Sequence, residues 1–272
     1  MLPRNVFGVR HGYSVANWLT HLEEQRQLDD RLSRLLRETP NHLHPLMPKG
    51  IEQAVAAGRW LKKFGELVDP TILCSEFARA MQTAGIIGRE IQLQRPLRFT
   101  SRLGERDWGL FQELPVEQQD AEYLRRKANP RHWKPLNGES MRDLNRSVRD
   151  ILDTLHREPS ERDVVLVSHG EFLTGMSEEI EHWMLDELGA AITEGVPNCG
   201  IIQYTRVNPQ LPSDVREKMC WKRRICPWNK RWKSGQWNGE WQEVTRPKLG
   251  WEEVLKLVEE KYPLPAGLES QA

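Results

Sequence analysis

The sequence predicts an α/β fold, a three-layer sandwich with a mostly parallel sheet and helices on both faces. Three observations predict it. Short, continuous apolar runs recur along the chain and read as buried strands. Amphipathic stretches of helical period separate them. The 272 residues are enough to enclose a large core without disulfides.

Asn5–Val9 reads as the first strand and ends in Arg10-His11-Gly12. Residues 14–45 are polar, with a charged helical stretch near Glu23–Arg37. Lys49–Phe64 carries Ile51, Ala54, Val55, Gly58 and Leu61 at helical spacing. Thr71–Ser75 reads as a second strand, Phe77–Ile91 as a helix and Leu97–Thr100 as a short third strand. Val116–Lys127 and Ser140–Arg157 read as helices. Asp163–Ser168 is the clearest buried strand, and Gly200–Arg206 reads as a last one. In such sheets ligands bind beyond the C-terminal strand ends, where His11, Ser75 and His169 fall.

After about Asn208 the composition shifts toward Trp, Lys and Arg. Trp237-Asn-Gly-Glu-Trp241 carries the Asn-Gly signal of a two-residue hairpin, and Gly250–Tyr262 reads as a terminal helix. The expected organisation is a catalytic domain over 1–207, with lid insertions near 18–45 and 113–137. Residues 208–272 are expected to form a Trp-rich basic extension packed on or beside it.

Lys+Arg and Asp+Glu both total 39, so net charge favours neither a nucleic-acid nor a membrane partner. Four cysteines are too few for a disulfide framework at this length. No signal peptide or membrane span is read, and a cytoplasmic setting is the expectation.

Phosphoryl transfer needs fixed positive groups around the phosphate oxygens, an in-line nucleophile and an acid for the leaving oxygen. A neutral histidine can be the nucleophile if its other ring nitrogen is tied to a backbone carbonyl, and an adjacent glycine permits that approach. Arg10-His11-Gly12, Arg79 in Ser75-Glu-Phe-Ala-Arg79-Ala-Met-Gln-Thr83, and His169-Gly170 place two arginines and two histidines at three strand ends.

On these residues the chain resembles the histidine phosphatase superfamily, the phosphoglycerate mutase-like family. Arg10-His11-Gly-Tyr-Ser14-Val-Ala-Asn17 is similar to its Arg-His-Gly-x-Ser/Thr-x-x-Asn signature. Leu46-Met-Pro-Lys-Gly50-Ile-Glu-Gln53-Ala54 is similar to its Leu-Thr-x-x-Gly-x-x-Gln-Ala element, with Met47 in place of Thr. The Ser75–Thr83 segment, Leu103-Gly-Glu105-Arg-Asp-Trp-Gly109, Gly138-Glu-Ser140 and Ser168-His169-Gly170 follow in the family's order. The resemblance implies that His11 becomes phosphorylated and that Arg10, Asn17, Arg79 and His169 bind phosphate. It implies Glu105 as general acid and then base, a small phosphorylated substrate, and no cofactor or metal.

Other residues carry weaker readings. Ser14 reads equally as a helix N-cap or a phosphate contact. His42 and His44 read as surface histidines, and Arg125, Arg126 and Lys127 as a solvated helix face. Cys220 and Cys226 lack a second ligand pair and do not read as a zinc site. Trp221, Trp228, Trp232, Trp237 and Trp241 read as packing residues, with an anion-facing edge as the lesser reading.

Tyr13 stands where glycolytic mutases of the family carry Glu, and Glu171 where they typically carry Asn. Phosphatase is therefore the expectation. A mutase using the same phosphohistidine, and a non-enzymatic phosphate- or nucleic-acid-binding module, stay open as alternatives. Glu171 is also expected to disfavour highly anionic substrates if it faces the pocket.

Overall fold

The computed structural model describes residues 2–157, 161–229 and 237–261. Trp232 and Tyr262 lie outside them. In chain order the principal elements are β1 (Asn5–Arg10), α1 (Val15–Glu24), α2 (Asp30–Glu38), α3 (Pro48–Phe64), β2 (Thr71–Cys74), α4 (Ala78–Ile91) and β3 (Arg98–Phe99). Then come α5 (Val116–Ala128), α6 (Met141–Leu155), β4 (Asp163–Ser168), α7 (Gly170–Glu181), α8 (Leu185–Glu194) and β5 (Ile201–Thr205). The chain continues through β6 (Val207–Asn208), β7 (Leu211–Val215), β8 (Trp221–Ile225), β9 (Gln242–Glu243) and α9 (Trp251–Lys261).

The central sheet runs β3-β2-β4-β1-β5-β8-β9. β3, β2, β4 and β1 are mutually parallel, and β5, β8 and β9 extend the sheet antiparallel. Alternate residues of each strand face opposite sides. Val6, Val164 and Leu166 pack with Leu144, Val148, Phe172 and Met176 from α6 and α7. Phe7, Val9, Val165 and Val167 pack with Ala54, Leu61, Ala84 and Ile87 from α3 and α4. Both faces of β1 and β4 are thus buried, which is why those segments read as uninterrupted apolar runs.

Several expectations are corrected. The charged stretch near Glu23–Arg37 is two helices. Arg26 adopts a left-handed conformation (φ 55°), and the Asp29 carboxylate caps α2 by accepting from the Leu32 N–H at 2.7 Å. Trp237–Trp241 does not form a two-residue hairpin. Gly239 (φ 83°) donates its N–H to Arg224 O at 2.9 Å, and Asn238 Oδ1 accepts from Glu240 N at 2.9 Å. The segment is an Asx turn laid against β8, and the strand that pairs with β8 starts only at Gln242. Helices α7 and α8 were not anticipated. Phe172 through Glu178 are buried without interruption, so α7 has no polar stripe to mark its period.

The segment after Asn208 is joined to the sheet. β8 pairs with β5 from Thr205↔Trp221 to Ile201↔Ile225. Trp237 is buried, and its Nε1–H donates to Glu194 at 3.0 Å. The Trp241 ring lies under the Arg223 guanidinium at 4.4 Å. No helix among the described residues is long and apolar enough to cross a membrane.

Candidate active site

The C-terminal ends of β1, β2 and β4 converge as the parallel order requires. His11 follows β1, Ser75 follows β2 and His169 follows β4. The two imidazole centroids are 5.1 Å apart. Above them opens a cavity of about 370 Å³ lined by His11, Asn17, Arg79, Glu105, the aromatic residues Trp108, Phe111 and Tyr123, and residues of α1 and α5. Arg10 and His169 stand behind this lining.

The loop after β1 is fixed by tight packing and by side chains from the neighbouring motifs. A Cβ on Gly12 would lie 2.4 Å from Gly50 O, and one on Gly50 would lie 2.1 Å from Tyr13 O. Only glycines allow the two backbones to cross there. Thr83 Oγ accepts from the Gly12 N–H (3.0 Å) while donating to Arg79 O (2.7 Å). Gln53 Oε1 accepts from Tyr13 N (2.9 Å), and Gln82 Oε1 from Leu46 N (2.7 Å). The sequence marked these residues as motif members without a task. Their task is to hold backbone amides.

His11 is buried, and its Nδ1 lies 2.8 Å from Gly12 O. A carbonyl can only accept, so Nδ1 carries the proton and Nε2 presents a lone pair. Nε2 accepts from Arg79 Nε at 3.1 Å. Burial, then the charges of Arg79, His169 and Arg10, hold the His11 pKa well below its usual value. The ring is therefore neutral, with its basic nitrogen held against Arg79.

Arg79 is itself anchored, donating from Nη1 to Asn41 O (2.7 Å) and Asn41 Oδ1 (3.0 Å). Its guanidinium stacks 4.8 Å from the Phe77 ring. Burial lowers its pKa to about 10, so it remains a cation. Arg10 donates from Nη1 to Val196 O at 2.5 Å, and its Nε has no hydrogen-bond partner among the described residues.

His169 Nε2 meets Ser75 Oγ at 2.9 Å, and its Nδ1 lies 3.6 Å from Glu105 Oε2. Burial, Arg79 and Arg10 lower the His169 pKa well below normal. Burial is also the largest influence on Glu105 and raises its pKa. Glu171 adds to the rise, while Arg79 and Arg10 oppose it.

Asn17 caps rather than floats. With Ser14 it forms a capping box at the start of α1, in which Ser14 Oγ accepts from Asn17 N. Ser14 thus takes the cap of its two expected roles. Asn198, which sequence reasoning did not single out, donates from Nδ2 to His11 O and to Asn17 Oδ1, both at 3.1 Å. No spacing rule marks a residue that far along the chain.

Two surface expectations are corrected, and Glu171 is placed. His44 is buried beside Arg79, and burial lowers its pKa; His42 is the exposed one. Arg126 is buried and grips Glu171 at 2.6 and 2.8 Å, whereas Arg125 and Lys127 face solvent. Successive helical residues differ by about 100°, so one inward arginine between two outward cations is normal geometry. Glu171 also lies 3.4 Å from Arg106, whose guanidinium is fully buried and stacks on Trp108 at 4.3 Å. Glu171 is thus neutralised by two arginines behind the cavity instead of confronting a substrate.

His11, Glu105 and His169 offer ligand atoms within 4.8 Å of one another. His11 Nε2 already accepts from Arg79, and Arg10 and Arg79 flank the group. That surround favours an anion over a metal cation. All four cysteines are free thiols.

Comparison with known proteins agrees with this geometry. An acid phosphatase of Mycobacterium tuberculosis is 29% identical over 174 residues, covering 62% of this chain and 78% of that protein. A probable phosphoglycerate mutase of Salmonella paratyphi A is 28% identical over 169 residues, covering 61% and 69%. The structure of a mycobacterial glucosyl-3-phosphoglycerate phosphatase complexed with VO3 superposes with a TM-score of 0.56 at 25% identity, covering 78% of this chain and 95% of that one. The family model for the histidine phosphatase superfamily (branch 1) matches residues 9–210, and the chain belongs to that superfamily.

Proposed function

We propose that the protein is a phosphatase, hydrolysing small phosphate monoesters through a phosphohistidine on His11. The observation that carries the reading is the neutral, buried imidazole whose Nε2 accepts from Arg79 at the wall of the cavity that Glu105 also lines.

In this reading Arg10, Arg79, His169 and Asn17 bind the phosphoryl oxygens. Ser75 Oγ accepts from Phe77 N at 3.3 Å and meets His169 Nε2 at 2.9 Å. Arg79 Nη2 reaches His169 Nδ1 at 3.5 Å, which holds the imidazole beside the phosphate position. His11 Nε2 attacks phosphorus while the ester P–O bond breaks, and Glu105 passes its proton to the leaving oxygen. The Nδ1–H bond to Gly12 O stabilises the positive charge that develops on the ring. Water then attacks the phosphohistidine, Glu105 takes its proton, and the P–N bond breaks to release inorganic phosphate. Arginines meet the phosphate charge, so no added metal is required.

Hydrolysis is favoured over mutase chemistry by the charge of the cavity. Glu23, Glu24 and Asp120 line its outer part, and Arg79 is the only Lys or Arg among the described residues lining it. A phosphoglycerate mutase must hold a carboxylate and a second phosphate beyond the transferred group. The acidic mouth offers those anions no partner and repels them. The acid phosphatase and glucosyl-3-phosphoglycerate phosphatase relatives support hydrolysis as well.

The test is phosphate release from an aryl phosphate in the presence of EDTA, with His11→Ala alongside. Release by the wild type and its loss in the variant are expected. Undiminished turnover in His11→Ala refutes the reading. Isomerisation of a phosphoglycerate faster than its hydrolysis replaces the phosphatase with a mutase.

A further inference from the structure

We infer that Trp228, from the segment that follows β8, acts through Asn198 as a positioning residue of the phosphate site. The inference deepens the proposed function and rests on it for the identity of the bound group.

The argument is a chain of hydrogen-bond assignments. His11 O can only accept. It takes bonds from Asn198 Nδ2 at 3.1 Å and from Cys199 N at 3.3 Å. The Asn198 amide is thereby oriented, with Nδ2 toward the β1 loop. The same Nδ2 donates to Asn17 Oδ1, also at 3.1 Å. Asn17 Oδ1 further accepts from Ser14 N at 3.2 Å and from Ser14 Oγ at 3.1 Å. Three donors saturate this oxygen, and two of them are N–H groups that cannot accept. The Asn17 amide therefore cannot flip. Its Nδ2 is left to face the cavity that Asn17 lines, where it serves as a donor for a phosphate oxygen.

What fixes Asn198 is the segment after β8. Trp228 Nε1–H donates to Asn198 O at 2.6 Å. Lys49 Nζ stands over both the Trp228 ring (5.8 Å) and the Tyr13 ring (5.1 Å), tying that segment to the loop after Gly12 from a second side. Trp228 packs beside the Phe7, Val9 and Ile201 cluster, so the clamp is seated on the sheet. The Trp-rich region thus supplies more than packing. One indole N–H and one asparagine stand between it and the groups that receive the phosphate.

A positioning role differs from a structural one in what it moves. Binding of inorganic phosphate reads Asn17 without requiring turnover. Titration calorimetry with inorganic phosphate is therefore run beside steady-state kinetics on wild type, Trp228→Phe, Asn198→Asp and Asn17→Ala. Asn198→Asp keeps the shape, removes both N–H groups and adds a carboxylate charge, so the Trp228→Phe and double-variant arms carry the comparison. It is expected to weaken phosphate binding and to lower kcat/KM by about tenfold or more, as Asn17→Ala does. Trp228→Phe keeps an aromatic ring beside Lys49 and removes the N–H together with the fused five-membered ring. A loss of about threefold in both readouts is expected at a temperature where both proteins are fully folded. In the double variant Asn17→Ala/Trp228→Phe the Trp228 effect should vanish, because the group it positions is gone. Wild-type phosphate affinity in Trp228→Phe or in Asn198→Asp overturns the inference. So does a Trp228→Phe loss that persists undiminished in the double variant, or one that only tracks lowered stability. A wild type that binds phosphate but releases none from any ester would sink the proposed function while leaving this test intact.

Discussion

Arg79 Nε donates to His11 Nε2 across 3.1 Å, so the guanidinium proposed to bind the phosphoryl group also points at the lone pair of the proposed nucleophile. The resting contact occupies the atom that must attack, and an arriving phosphate has to take the guanidinium for itself. Arg79 also depresses the His11 pKa, second only to burial. His11 must be neutral to attack, so activity is lost as pH falls through its depressed pKa. In Arg79→Ala that pKa moves back up, and the acid limb of the kcat/KM profile should shift to higher pH. Loss of an oriented cation should also lower kcat/KM by about 100- to 1,000-fold. A profile with an unmoved acid limb would remove the electrostatic part of this argument.

Glu105 carries the opposite limb. Its pKa is raised, chiefly by burial, so it holds a proton above the pH at which an ordinary glutamate has lost it. As a general acid it works only when protonated, and activity is lost as pH rises through that raised value. Glu105→Gln should flatten the alkaline limb and slow alkyl phosphates by about 100-fold or more, with a smaller effect on aryl phosphates. An aryl leaving group departs without a proton, and the difference between the two substrates is the measurement. Equal losses on both would assign Glu105 to binding.

Glu171 links stability to that limb. It pairs with Arg126 at 2.6 Å and with the fully buried Arg106 at 3.4 Å. Glu171→Gln strands two desolvated cations, and a loss of about 2 kcal/mol in urea unfolding is expected. Glu171 also raises the Glu105 pKa. Its neutralisation lowers that pKa, so the alkaline limb should move to lower pH. Unchanged stability with an unmoved limb would show the three groups to be uncoupled.

The sequence carried the β1, β2 and β4 strands because each is buried on both faces and reads as an apolar run. It carried His11, Arg79, Glu105 and His169 because they sit in local motifs at strand ends. It did not carry α7, which is buried all round and lacks a period. It missed the inward turn of Arg126 and the burial of His44, since one charged residue in a polar stretch looks like the next until its partner is known. Asn198 and Trp228 escaped for a different reason. Trp228 binds the backbone oxygen of Asn198, and Asn198 binds the backbone oxygen of His11 besides the Asn17 side chain. A backbone acceptor leaves no residue-type signature at the other end of the contact.

The acidic mouth gives the remaining expectation. Glu23 has its pKa raised, first by burial and then by Glu24, with Arg37 opposing. These carboxylates line the outer part of the cavity, toward any leaving group that projects from the phosphate site. A second anion on the substrate meets this charge at its far end, and a neutral leaving group does not. Glu23→Gln/Asp120→Asn removes two of the charges. Each contributes on the order of 0.5 kcal/mol across a solvated cavity, so the pair should lower KM for a carboxylate-bearing phosphomonoester by about fivefold. KM for a neutral aryl phosphate should stay within twofold, because its leaving group carries nothing for the carboxylates to repel. Parallel KM measurements on the two substrates decide it. If both fall together, the substitutions have opened the cavity, and the selectivity against a second anion must then come from elsewhere in the site.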